Sequence, residues 1–262
     1  MKYLILLLTF LILLPFSSCE DNLNSPAVNP DIKANSKVMV ELFSSISCVK
    51  CVQASIYCDN ISFLKGITAN DSNVVIINYH PSFFSSDPLY QFNKQLNIER
   101  QNIYGIFFIP SGFVDGSNLP SPFSSSEWTN QINSELSKTK DIKISLQNSV
   151  DTINRTGSLV IQITHLNNVD NYGIGDLRLF IIVTEDDLFV NAPNGKNYYN
   201  NVARQMINHP GGEQVQIQTG QTTITKNYSV IHGIVIQNSV IVVFIQEFDS
   251  NKIVTSEKIK IH

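Results

Sequence analysis

Histidine is scarce in this chain: five residues, scattered so that no two fall at metal-ligand spacing, which argues against a zinc site. No basic tract is present either. Eighteen Lys and Arg stand against 22 Asp and Glu, a net charge of −4, so the electrostatic footprint of a nucleic-acid binder is missing. Cysteine is limited to four residues in 262. Only 15% of residues are charged while 43% are hydrophobic, a balance that excludes general disorder and supports substantial cores. The apolar run from Leu4 to Phe16 falls short of the roughly 20 residues of a membrane-spanning helix.

That run has another use. Lys2, the apolar stretch and then Ser17-Ser18-Cys19 follow the charged, hydrophobic and small-residue order of an export signal. Cys19 after two serines resembles the lipobox of bacterial lipoproteins, in which the cysteine is lipidated and becomes the mature N-terminus; Phe16 stands where such boxes usually carry Leu. The expected organisation is a signal peptide over residues 1–18 and a flexible Asn-, Ser- and Pro-rich tether over 19–36. An α/β domain over 37–140 and an all-β antiparallel sandwich over 141–262 follow. A plain signal peptide is the alternative to the lipid anchor.

With Cys19 set aside, Cys48-Val49-Lys50-Cys51 stands out. It joins the apolar strand Val38–Phe43 to a helix-compatible segment from Cys51 to Leu64, which puts two thiols at a helix N-terminus. The helix dipole and free N–H groups there favour a thiolate. Cys48 is the expected nucleophile and Cys51 the resolving thiol; the competing interpretation is an inert disulfide that staples the helix start. Cys58, two turns further on, is expected to be a small buried hydrophobe.

The α/β pattern continues through a β-branched strand at Val74–Tyr79. Asp87-Pro88 supplies a helix cap ahead of Leu89, Phe92, Leu96 and Ile103, and Asp115-Gly116 is a hairpin signal after Gly112–Val114. Trp128, Ile132 and Leu136 mark a closing helix behind Ser124. Beyond residue 141, alternation at Ile142, Ile144 and Leu146 and at Leu159, Ile161 and Ile163 predicts strands. Further runs at 177–183, 215–224 and 240–248 extend the sandwich. Tyr199–Ile207 is expected to hold a short helix in the least regular stretch.

Two separated motifs now carry a resemblance. The strand, C-x-x-C, helix order together with Tyr104-Gly105-Ile106-Phe107-Phe108-Ile109-Pro110 is similar to a thioredoxin-like domain. That resemblance implies a cis peptide before Pro110 and a substrate groove at Ile109 and Pro110. Val40-Glu41-Leu42-Phe43, Asn78-Tyr79-His80, Asp87-Pro88-Leu89, Arg100 and Val114-Asp115-Gly116 further resemble the Omp28-related family of exported bacterial lipoproteins. So do Val183–Leu188 and Asn201–Met206 in the second half. The implied fold class is an α/β thioredoxin-like domain followed by an all-β immunoglobulin-like sandwich.

The departures bear on chemistry. Ser47 and Val52 flank the motif where relatives often carry Trp and Pro. Leu42 occupies the place of the buried acid of thioredoxin, with Glu41 one position off and hence on the opposite strand face. Glu41 and His80 are the candidates for proton transfer, although His80 is more readily a strand-end histidine bonded to its loop. Glu185-Asp186-Asp187 is more readily a solvated acidic turn than a calcium site. No cofactor is implied.

The sequence therefore points to a lipid-anchored protein of the cell envelope, at the periplasmic or surface face of the outer membrane. It is expected to be either a thiol-disulfide oxidoreductase that meets exported proteins or a redox partner through mixed disulfides, or a non-enzymatic binding lipoprotein with a structural disulfide.

Overall fold

Strand β1 (Val38–Phe43) is buried along its whole length and organises everything around it. Successive side chains of a strand point to opposite faces, so Val38, Val40 and Leu42 enter one apolar cluster while Met39 and Phe43 enter another. The computed structural model describes residues 37–165, 176–217 and 220–262; the expected signal peptide, Cys19 and the tether lie outside them.

On the first face, helix α1 (Cys51–Asp59) contributes Ala54 and Cys58 and helix α4 (Ser125–Leu136) contributes Trp128 and Ile132. α1 stops at Asp59, earlier than the sequence pattern implied, and a 3-10 turn at Ile61–Phe63 follows. Ser124 caps α4 by accepting the N–H of Glu127, and the Trp128 indole N–H reaches the Pro122 carbonyl at 3.0 Å, so the large buried ring leaves no polar atom unpaired. The opposite face packs on helix α3 (Lys94–Ile103) through Leu96. α3 is separated from α2 (Pro88–Phe92) by Asn93, whose side chain caps the second helix, so one predicted helix becomes two.

Parallel to β1 runs β2 (Val74–Tyr79), and antiparallel to it runs β3 (Ser111–Val114), which turns through Asp115 and Gly116, both at positive φ, into β4 (Ser117–Leu119). The α/β unit does not end in an independent sheet. Strand β10 (Val202–Met206) pairs parallel to β2 at Val202↔Asn78 and antiparallel to β7 (Leu177–Glu185). β7 in turn pairs with β13 (Ser239–Glu247), and β13 with β14 (Ile253–Lys260). The resulting sheet has the order β14-β13-β7-β10-β2-β1-β3-β4, with β11 (Glu213–Gln214) added to β7. Residue 140 follows α4, and strands from both sides of it share this sheet.

The second layer is the antiparallel sheet of β5 (Ile142–Asp151), β6 (Thr156–His165) and β12 (Gly220–Ser229). Its Ile144, Leu159, Ile161 and Ile163 pack on Ile181, Val183, Ile241 and Val243. The opposite faces of β7 and β13 supply Phe180, Ile182, Val242 and Phe244 to the cluster around Phe43 and Leu96. Burial on both faces explains why these two strands read as continuous apolar runs whereas β5 and β6 alternate. Each fully buried Ile, Val or Phe contributes about 1.5–3 kcal/mol. A mixed α/β N-terminal region and a β-rich, sandwich-like region thus form the described chain.

Two expectations are corrected. Tyr199–Ile207 is not helical: β9 (Tyr198–Tyr199) pairs with β8 (Leu188–Phe189), and β10 follows. Asn201 sits at φ 55°, which breaks any helix, while its carbonyl accepts the Asn78 N–H at 2.7 Å. The strand expected at 215–224 is displaced, with β12 beginning at Gly220.

Candidate functional site: a disulfide corner held by two loops

Cys48 and Cys51 form a disulfide across the turn that leads from β1 into α1, with their Cα atoms 5.3 Å apart. The turn puts Cys51 at the start of the helix, and its N–H lies 3.1 Å from both the carbonyl oxygen and the sulfur of Cys48. An N–H aimed at sulfur at a helix N-terminus would stabilise negative charge on Cys48 after reduction. Cys48 is 9% exposed and Cys51 only 1%, so Cys48 presents the more accessible sulfur, while Val49 between them is 73% exposed.

Pro110 leads into the strand that pairs with the end of β1. β3 begins directly after it, and the register Phe43↔Ser111 brings the residue that follows Pro110 next to the last residue of β1. The Ile109–Pro110 bond is cis, as the resemblance implied. Phe107 and Phe108, which lead into it, are largely exposed.

Below the turn lies a buried polar hub that the sequence displayed only as a helix cap. Asp87 Oδ1 accepts the N–H groups of Leu89 and Tyr90 at the start of α2. Its Oδ2 accepts the Ser45 hydroxyl at 2.8 Å and the Ile46 N–H at 3.1 Å, and lies 2.8 Å from His80 Nδ1. Burial alone would raise the Asp87 pKa. The hydrogen bond and charge of His80, then the bonds from Ser45 and Ile46, outweigh it and lower the value to about 2. His80 is fully buried at the end of β2; its N–H is held by the Asn97 side chain at 2.9 Å, and its Nε2 has no hydrogen-bond partner among the described residues. The Tyr199 ring packs edge-on against it.

Glu41 does not join this group. It projects to the α3 face of β1, away from α1, where Oε1 accepts from Arg100 Nη2 at 2.5 Å and Oε2 accepts from the Tyr104 hydroxyl. Arg100 also donates to Gln246 Oε1 of β13 at 2.9 Å and is ringed by Tyr79, Tyr104, Phe180 and Phe244. Burial works against its charge, but the neighbouring Glu41 carboxylate holds the guanidinium firmly protonated. Glu41 and Arg100 tie β1, α3 and β13 together.

Cys58 is buried among the residues that pack α1 on β1, as expected of a small hydrophobe. Burial, with the charge of Asp59, pushes its thiol far above the ordinary range. Glu185, expected in a solvated turn, is instead buried: it pairs with Arg204 at 2.9 Å and accepts the Val235 N–H at 2.7 Å. Tyr198 is exposed whereas Tyr199 is buried.

A residue that the sequence did not single out completes the corner. Asn194, in the loop between β8 and β9, donates through Nδ2 to the carbonyls of Ser45 (3.2 Å) and Cys48 (3.4 Å). Its backbone N–H reaches the Ile46 carbonyl at 3.2 Å.

The fold has relatives among solved structures. HBP35 of Porphyromonas gingivalis superposes with a TM-score of 0.72 at 18% identity, over 86% of this chain and 75% of that one. A structural-genomics target protein of Agrobacterium tumefaciens superposes at 0.53 with 12% identity, over 87% and 95%. A domain of the outer membrane lipoprotein Omp28 from Porphyromonas gingivalis aligns over 47% of this chain and 89% of its own at 16% identity, with a TM-score of 0.34. No functionally curated protein matches the sequence. The family model for outer membrane protein Omp28 matches residues 98–262, more than half of the chain, beginning after the two cysteines. The chain belongs to the Omp28 family of outer membrane proteins.

Proposed function

We propose that this protein is a lipid-anchored envelope protein whose Cys48–Cys51 pair exchanges disulfides with exported proteins or with a redox partner, on a thioredoxin-like domain. The observation that carries the reading is the disulfide at the start of α1, directly after β1, together with the pairing of β1 with β3, the strand that the Ile109–Pro110 segment leads into. Lipidated Cys19 would tether the domain to the outer membrane, and the sandwich-like region would present or select the partner.

In the oxidising direction, a client thiolate attacks Sγ of Cys48. The Cys48–Cys51 bond breaks, Cys51 leaves as thiolate, and a mixed disulfide joins Cys48 to the client. A second client thiolate then attacks the client sulfur of that bond and expels Cys48. Two client thiols become one disulfide, the protein pair becomes a dithiol, and the two protons that the client thiols lost end on Cys48 and Cys51. His80, joined to the turn through Asp87 and Ser45, is the group best placed to relay a proton; Glu41 is committed to Arg100.

The burial of both sulfurs supports a second reading, a binding lipoprotein whose disulfide is structural. Reduction of insulin disulfides by the soluble chain separates the two. Activity lost in Cys48→Ser, together with client mixed disulfides trapped by Cys51→Ser, is expected for exchange. A rate that Cys48→Ser leaves unchanged refutes it.

A further inference from the structure

The β8–β9 loop reaches the disulfide turn from the other half of the chain. Asn194 is separated from Cys48 by 146 positions, yet its side chain and backbone make three of the bonds that hold Ser45, Ile46 and Cys48. Its orientation is determined by its own acceptors: Oδ1 takes the Lys196 N–H at 2.9 Å and the Tyr199 hydroxyl at 3.1 Å, which leaves Nδ2 to face the turn. The loop is anchored at further points. Lys196 Nζ pairs with Asp59 Oδ2 at 2.7 Å, at the far end of α1, and lies over the Tyr199 ring. Ala192 and Tyr199 pack with Ile46 and Leu89 in a small apolar cluster.

We propose that Asn194 is a positioning residue for the Cys48–Cys51 pair. By gripping the carbonyls on both sides of the turn, it keeps the Cys48 sulfur facing Cys51 when the bond is open. The thiols then see a higher effective concentration of each other, and the disulfide becomes harder to reduce. The grip acts through backbone carbonyls and touches neither sulfur. The inference deepens the redox reading above and rests on it for its functional meaning. Its test does not depend on turnover, because the equilibrium between a disulfide and a reference dithiol is measurable for an enzyme and for a structural bond alike.

The experiment is a redox titration of the full soluble chain against dithiothreitol. Asn194→Ala is expected to ease reduction about tenfold, a potential less negative by about 30 mV. Asn197→Ala changes the same loop at its contact with the Ala192 N–H and is expected to leave the potential in place. A residue that only stabilises the fold would lower the melting temperature of the oxidised and reduced forms equally and leave the potential fixed; that outcome overturns the proposal. Should Asn194→Ala fail to fold, Tyr199→Phe keeps the buried ring, removes only the hydroxyl that orients Asn194, and is expected to shift the equilibrium in the same direction by about threefold. No shift in a folded Tyr199→Phe then overturns the proposal. An unchanged potential alongside active insulin reduction removes Asn194 and leaves the exchange function standing; a shifted potential in an inactive protein does the reverse.

Discussion

His80 Nδ1 lies 2.8 Å from Asp87 Oδ2 with both side chains withdrawn from solvent, and the same oxygen carries the Ser45 hydroxyl of the disulfide turn. The disulfide corner thereby rests on a carboxylate from another loop.

That carboxylate makes stability pH-dependent in a defined window. Its folded pKa is about 2 against 3.8 for the free side chain. The group therefore contributes fully above about pH 4, and its contribution is lost as pH falls through 2. The shift corresponds to about 2 kcal/mol. Urea denaturation from pH 5 to 2 is expected to show this loss, and Asp87→Asn is expected to be less stable at pH 5 but to lack that component of the acid slope.

Glu41 and Arg100 should separate stability from exchange. Removing one partner of a buried pair costs about 3–5 kcal/mol because the other charge is left stranded. Glu41→Gln is expected to lower denaturant stability toward that range. The insulin-reduction rate of the folded fraction should stay at the wild-type level, since Glu41 lies across the sheet from α1.

Gly112 follows Ser111 on β3 with Trp128 pressed against it. A Cβ at Gly112 would come within 2.7 Å of the Trp128 ring. Gly112→Ala is expected to cost about 1–3 kcal/mol through overpacking, read as a lower unfolding midpoint, and a neutral result would mean that the ring can retreat.

Cys58 should be chemically silent in the folded protein. Its buried thiol is held protonated, so thiol reagents at pH 8 are expected to leave it unmodified in the native chain and to label it once denaturant is added. Native labelling at the rate of a free thiol would contradict the burial.

What was legible in the sequence depended on locality. Cys48-Val49-Lys50-Cys51, the Asp87-Pro88 cap and the Asp115-Gly116 turn obey short-range rules, and each stands where those rules put it. Glu41 could be assigned to the far face of β1 from strand alternation alone. Arg100 and Gln246, its companions, come from α3 and β13, and no spacing rule joins them. Val202–Met206 misled because its residues tolerate a helix; the pairing with β2 and β7, introduced by the left-handed Asn201, overrides that tolerance. Asn194 sits in an Asn-rich loop where nothing marks one asparagine above its neighbours. Its significance exists only after the chain has folded back.

The placement of Asn194 also imposes an order on biogenesis. During synthesis the cysteine turn emerges 146 positions before the residue that grips it, and under oxidising conditions two thiols three positions apart can close first. Disulfide formation and seating of the β8–β9 loop are thus separated in time. The nascent molecule passes through a stage in which the same pair of sulfurs is joined but not yet restrained, and maturation ends when a distant asparagine arrives.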